Sequence, residues 1–149
     1  MKNFILASIL LALLLTVNAI RPQPQLANFY PCNLQHSVDS INVVAHPKTP
    51  ISGGNVAFNV SGILTEHKII AHQTILFISY KDKPIEHSIG PDYKQFFTAS
   101  IKAGDPFFIR AVGVQTPNLP HSYVLVVAVG ELFNHNFTAF GCVQALGRS

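Results

Sequence analysis

The chain has 149 residues, a formal net charge of +3 and charged side chains at only 11% of positions. Its charges are scattered, with no basic stripe and no Arg/Lys cluster along the sequence, which excludes the footprint of a nucleic-acid surface. So few charges, beside eleven Phe and no Trp, imply either efficient packing or an apolar guest.

In chain order, residues 1–19 read as a secretory signal. Lys2 supplies the positive start, an apolar run from Phe4 to Val17 is broken only by Ser8 and Thr16, and Val17-Asn18-Ala19 ends it with a cleavage-like pattern. A spanning helix needs about 20 apolar residues, and this run is shorter. The longest later run, Tyr123 to Gly130, reads as a buried strand. The expected product is exported, extracellular or in a vacuole or lysosome lumen. Lys2 leaves with the signal, so the mature part carries nine basic and seven acidic residues. About 130 residues suffice for one domain with its own core.

Residues 20–28 form a polar, Pro-containing lead-in, expected as a flexible N-terminal arm, and residues 29–146 form the domain. Short alternating runs predict strands over 40–45, 55–63, 67–80 (with a bend inside), 95–101, 106–114, 122–131 and 136–144, with a short one near 84–88. Between them lie Pro, Gly, Asn and Asp turns such as Lys81-Asp82-Lys83-Pro84 and Lys102-Ala103-Gly104-Asp105-Pro106. No apolar stripe requires a helix. Seven or eight strands at this spacing predict an all-β, two-sheet antiparallel β-sandwich.

Within "GGNVAFNVSGILTEHKI" (53–69), Val56, Phe58 and Val60 share one face of a strand, and Asn55, Asn59 and Ser61 share the other. Asn59-Val60-Ser61 and Asn136-Phe137-Thr138 are N-glycosylation sequons. Cys32 and Cys142 are the only cysteines. In an exported chain an even pair reads as a disulfide, closing a loop whose entropy is worth about 4–5 kcal/mol.

Residue patterns for catalysis are missing. The chain has no Gly-x-Ser-x-Gly, no His-Glu-x-x-His and no phosphate-cradling glycine loop. Its seven histidines are dispersed and stand at no ligand spacing from each other or from the cysteines. The acids are equally scattered. The chain therefore reads as no enzyme, with no metal and no cofactor.

"FYPCN" (29–33), "GGNVAFNVSGILTEHKI", "SIKAGDPFFIRAVGV" (100–114), "LPHSYVLVVAVGE" (119–131) and the late Cys of "FGCVQ" (140–144) together resemble the ML lipid-recognition domain. The likeness is to its secreted, fungal-type branch of phosphatidylglycerol/phosphatidylinositol transfer proteins, and it covers about Phe29 to Gln144. The resemblance implies an immunoglobulin-like sandwich whose sheets splay around an internal apolar cavity holding a phospholipid, acyl chain or sterol. It also implies transient contact with membrane surfaces, and it puts Cys32 and Cys142 in place of the pair joining the terminal strands. Typical members carry two further local disulfides, whereas 45–54 and 89–104 contain no cysteine.

A lipid tail binds where apolar surface leaves water on both sides, at about 25 cal/mol per Å². The candidate lining is Val56, Phe58, Val60, Ile75, Phe77, Phe97, Phe107, Ile109, Tyr123, Leu125 and Val127. By residue type alone these side chains fill an ordinary core, and the resemblance makes them a cavity wall. The alternative is a closed immunoglobulin-like interaction module acting through its loops, without a lipid.

Overall fold

The computed structural model describes residues 23–149, so the expected signal, 1–19, and residues 20–22 lie outside the described residues. Nine strands and no helix make up the described chain. They are β1 Gln25–Leu26, β2 Tyr30–Pro31, β3 Asn42–His46, β4 Asn55–Ile63, β5 Thr74–Asp82, β6 Tyr93–Phe96, β7 Pro106–Gln115, β8 Ser122–Phe133 and β9 Asn136–Arg148. All ladders are antiparallel. A six-stranded sheet runs β1-β9-β8-β5-β6, with β2 also on β9, and a three-stranded sheet runs β3-β4-β7.

The two-residue period of β4 and β7 decides which side is buried. Val56, Phe58 and Val60 of β4 alternate with residues that stay partly open, and Phe107, Ile109 and Ala111 of β7 alternate with exposed ones. One core cluster draws on both sheets, joining these residues to Leu76, Ile78 and Tyr80 of β5 and to Tyr123, Leu125, Val127 and Val129 of β8.

The strand β8 is covered on its second face as well. Ala128 packs there with Ala139 and Cys142, beneath Cys32 and Val38. The segment after β2 thus crosses the outside of the large sheet. It is tied down by the Cys32–Cys142 disulfide, with a Cα–Cα distance of 5.5 Å, and by the parallel bridge of Asp39 to Gly141.

Turn chemistry sets the ends. Asn134 and His135 take φ of 46° and 65° between β8 and β9, the left-handed pair that a two-residue hairpin turn needs. On β7 an extra residue opposite Val56–Phe58 is absorbed beside Gly113, whose φ is 67°.

Several sequence expectations shift. The strand expected over 67–80 begins only at Thr74. A turn precedes it: the Gln73 and Thr74 amides donate to the Ile70 carbonyl, His72 has φ of 61°, and Thr74 Oγ1 accepts from the Ile70 amide at 2.9 Å. The strand expected over 95–101 lies at Tyr93–Phe96. Around 84–88 only the bridge between Lys81 and Ser88 forms. The arm expected to be flexible is docked where it is described, because Gln25 and Leu26 pair with Arg148 and Gly147.

Backbone hydrogen bonds hold the two cysteine-free segments. Gly53 N donates to Thr116 O at 3.0 Å, and Thr116 N donates to Gly54 O at 2.8 Å. Phe97 N donates to Thr74 O at 3.0 Å, and Gly104 N to Leu64 O at 2.8 Å.

Candidate functional site

Nine of the eleven expected lining residues come together in the shared core: Val56, Phe58, Val60, Phe97, Phe107, Ile109, Tyr123, Leu125 and Val127. Phe97 meets Phe107 edge-on, with centroids 5.8 Å apart. The other two do not join them. The inward phase of β5 is Leu76, Ile78 and Tyr80, so Ile75 and Phe77 point to the opposite face, where Phe77 stacks on Phe137 at 4.7 Å. Ile75 is nevertheless buried, which is why Thr74-Ile75-Leu76-Phe77-Ile78 shows no alternation. The one internal clue is Ser79, a polar residue in the same phase as Ile75 and Phe77.

The two sheets differ at their margins. On one side Gln95 of β6 donates from Nε2 to the Arg110 carbonyl of β7 at 3.2 Å and joins the edges. On the other side β3 is the free edge of the small sheet, and it faces the β1–β2 segment that runs along β9. Between them lies a groove of about 650 Å³, walled by Leu26, Phe29, Ile41, Val43, Ala45 and Val143 and also by the polar Asn28, Ser40, Asn42, His46 and Lys48. Ile41, Ala45 and Val143 belong to the core, and Leu26, Phe29 and Val43 pack against it. The groove is therefore open to solvent with core side chains in its wall, at a size within the roughly 300–1,000 Å³ of small-molecule sites.

One end of the interior is polar. Tyr80 and Thr116 share a hydroxyl hydrogen bond of 3.3 Å while both are buried. Tyr123, 6.0 Å from the Tyr80 ring, is fully buried, and its hydroxyl has no hydrogen-bond partner among the described residues. Burial pushes the Tyr80 phenol up, against the opposing effect of its Thr116 hydrogen bond. Burial, and then the neighbouring Tyr80, push Tyr123 up to about 12. The tip of the Tyr123 ring lies against Gly147 of β9, where any Cβ would overlap it.

The sequon asparagines sit away from the core. Asn136 is exposed at the β8–β9 turn. Asn59 lies on the outer face of the small sheet, paired with Val44 and Arg110, and its Oδ1 is buried without a partner among the described residues. Among the described residues no group of three or more His, Cys, Asp or Glu converges. No protein-family model and no curated protein sequence matches the chain.

Proposed function

We propose that this chain is an exported lipid-binding protein of the ML kind. On this reading the two sheets form an immunoglobulin-like sandwich that takes an acyl chain or sterol between them and releases it at another membrane. The reading requires no covalent chemistry, metal or cofactor. The observation that carries it is the groove between the β3 edge and β1–β2, of mixed lining, whose wall shares Ile41, Ala45 and Val143 with a core of Phe, Val, Ile and Leu side chains. Each methylene that leaves water there contributes about 0.8 kcal/mol, so a medium-length chain offsets the cost of association without any polar contact. The Cys32–Cys142 disulfide suits an oxidising compartment and supports export.

One observation favours the second reading, a closed interaction module acting through its loops. Val56, Phe58 and Val60 are no more than 1% exposed, so they already pack against protein on every side. Lipid binding then requires the tail to lodge in the groove and part the sheets along β3, beyond the Asp39–Gly141 bridge that ties the chain ahead of β3 to β9, with the β6–β7 margin as the fixed side. Lipid extraction from natively purified protein, with uptake of fluorescent phospholipid and sterol by stripped protein, decides between them. We expect co-purifying lipid and saturable uptake at one site per chain. Lipid-free protein that takes up neither probe would establish the closed module.

A further inference from the structure

The outer face of the small sheet is apolar and open. Across β3, β4 and β7 the outward phase holds Val44, Ala57, Ile63, Phe108 and Val112, and of its side chains only Arg110 carries a full charge. Val44, Phe108 and Val112 are 53%, 64% and 61% exposed. A contiguous exposed apolar surface marks something that sits on it.

The centre of this face is Asn59, the asparagine of the first sequon. It stands on the middle strand, in one row with Val44 of β3 and Arg110 of β7. Phe108 pairs with Ser61, the last residue of the sequon, and so lies diagonal to Asn59 on the same face. Diagonal neighbours are about 7–8 Å apart, a span that one sugar on Asn59 covers. The Asn59 Oδ1 makes no hydrogen bond among the described residues, so its acceptor does not account for an amide in the middle of an apolar face.

We propose that an N-linked glycan on Asn59 is the cover of this face, its first N-acetylglucosamine laid over Val44, Phe108 and Val112. The modification rests on the export reading; it needs no lipid in the groove. The C–H side of a pyranose leaves water against Phe108, and Arg110 donates to the sugar oxygens. Attachment takes place on the extended chain, before β3 and β7 close on β4. Asn59 Nδ2 displaces the pyrophosphate of a lipid-linked oligosaccharide: the N–C1 bond forms, the C1–O bond breaks with its electron pair leaving on the lipid pyrophosphate, and one amide proton passes to a base. Asn136, at the β8–β9 turn of the large sheet, is the internal control.

The full chain is secreted from a glycosylating eukaryotic host and trimmed by an endoglycosidase to one N-acetylglucosamine per site. Glycopeptide mass spectrometry should find Asn59 occupied. The trimmed wild type should sediment as a monomer and bind little of a dye that lights up on apolar surface. Asn59→Gln should bind several-fold more dye and self-associate, and adding Phe108→Ser should reverse both, which a misfolded chain would not do. Enzymatic removal of the whole glycan from folded wild type repeats the test without a folding step, and Asn136→Gln should change neither readout.

Secreted protein with Asn59 bare overturns the cover, and dimers of that bare protein through Phe108 would make a second copy the occupant. Dye binding and sedimentation unchanged by loss of the Asn59 glycan, or changed equally by Asn136→Gln, overturn it too. Protein that stays in the cells with neither sequon occupied takes the export reading down with it.

Discussion

Tyr123 concentrates the tension between packing and polarity in this interior. It is fully buried against Gly147 and Tyr80, yet its hydroxyl has no partner among the described residues. A buried group left unpaired costs about 1–3 kcal/mol. Tyr123→Phe should therefore raise stability by about 1 kcal/mol in urea denaturation, and a loss of stability would reveal a partner for the hydroxyl. The same residue sets the alkaline limit. Its folded pKa stands at about 12 against an ordinary 10.0, so the unfolded chain gives up its proton first as pH rises. Stability from this group is intact below pH 10 and is lost as pH rises from 10 toward 12; Tyr80 acts in the same direction. In Tyr123→Phe the alkaline decline should be shallower.

At the scale of elements, β5 is the sharpest test of register. Leu76 is fully buried in the shared core, whereas Phe77 is half-buried on the outer face. Leu76→Ala should cost about 2–5 kcal/mol. Phe77→Ala should cost clearly less, mainly the stack on Phe137 and partial burial. An equal or larger loss from Phe77 in denaturant titration would reverse the strand's faces.

The disulfide joins the segment after β2 to β9 across a separation of 110 residues. Cys32→Ser/Cys142→Ser should lower stability by about 2–5 kcal/mol, read as a fall in melting temperature. An unchanged melting temperature would mean that the bridge of Asp39 to Gly141 and the packing of Val38 already hold this crossing.

These elements also show what is readable in the sequence. The faces of β4 and β7 follow from strict alternation at Val56, Phe58 and Val60 and at Phe107 and Ile109. The face of β5 does not, because Ile75 and Leu76 are both buried, on opposite sides of one sheet. Strands β1 and β2 hold two residues each, too short for any period, and exist only because β9 offers its edge. The groove is equally invisible, since it arises from what β3 does not pair with.

Among the described residues one margin is joined through Gln95 of β6 and Arg110 of β7, while at the other the groove separates β3 from the β1–β2 segment and the chain ahead of β3 is bridged to β9 at Asp39 and Gly141. Its outer faces also carry exposed apolar side chains, among them Phe108 and Val112 on the small sheet and Phe133 at the β8–β9 turn. A lipid that merely adhered to the surface would favour those faces. Photo-crosslinking with a diazirine-bearing fatty acid, followed by peptide mass spectrometry, tells the groove from the surface. Saturable labelling of residues 26–29, 41–45 and Val143 is the expected result. Labelling confined to Phe108, Val112 and Phe133, or no saturable labelling anywhere, would contradict a lipid site between the sheets.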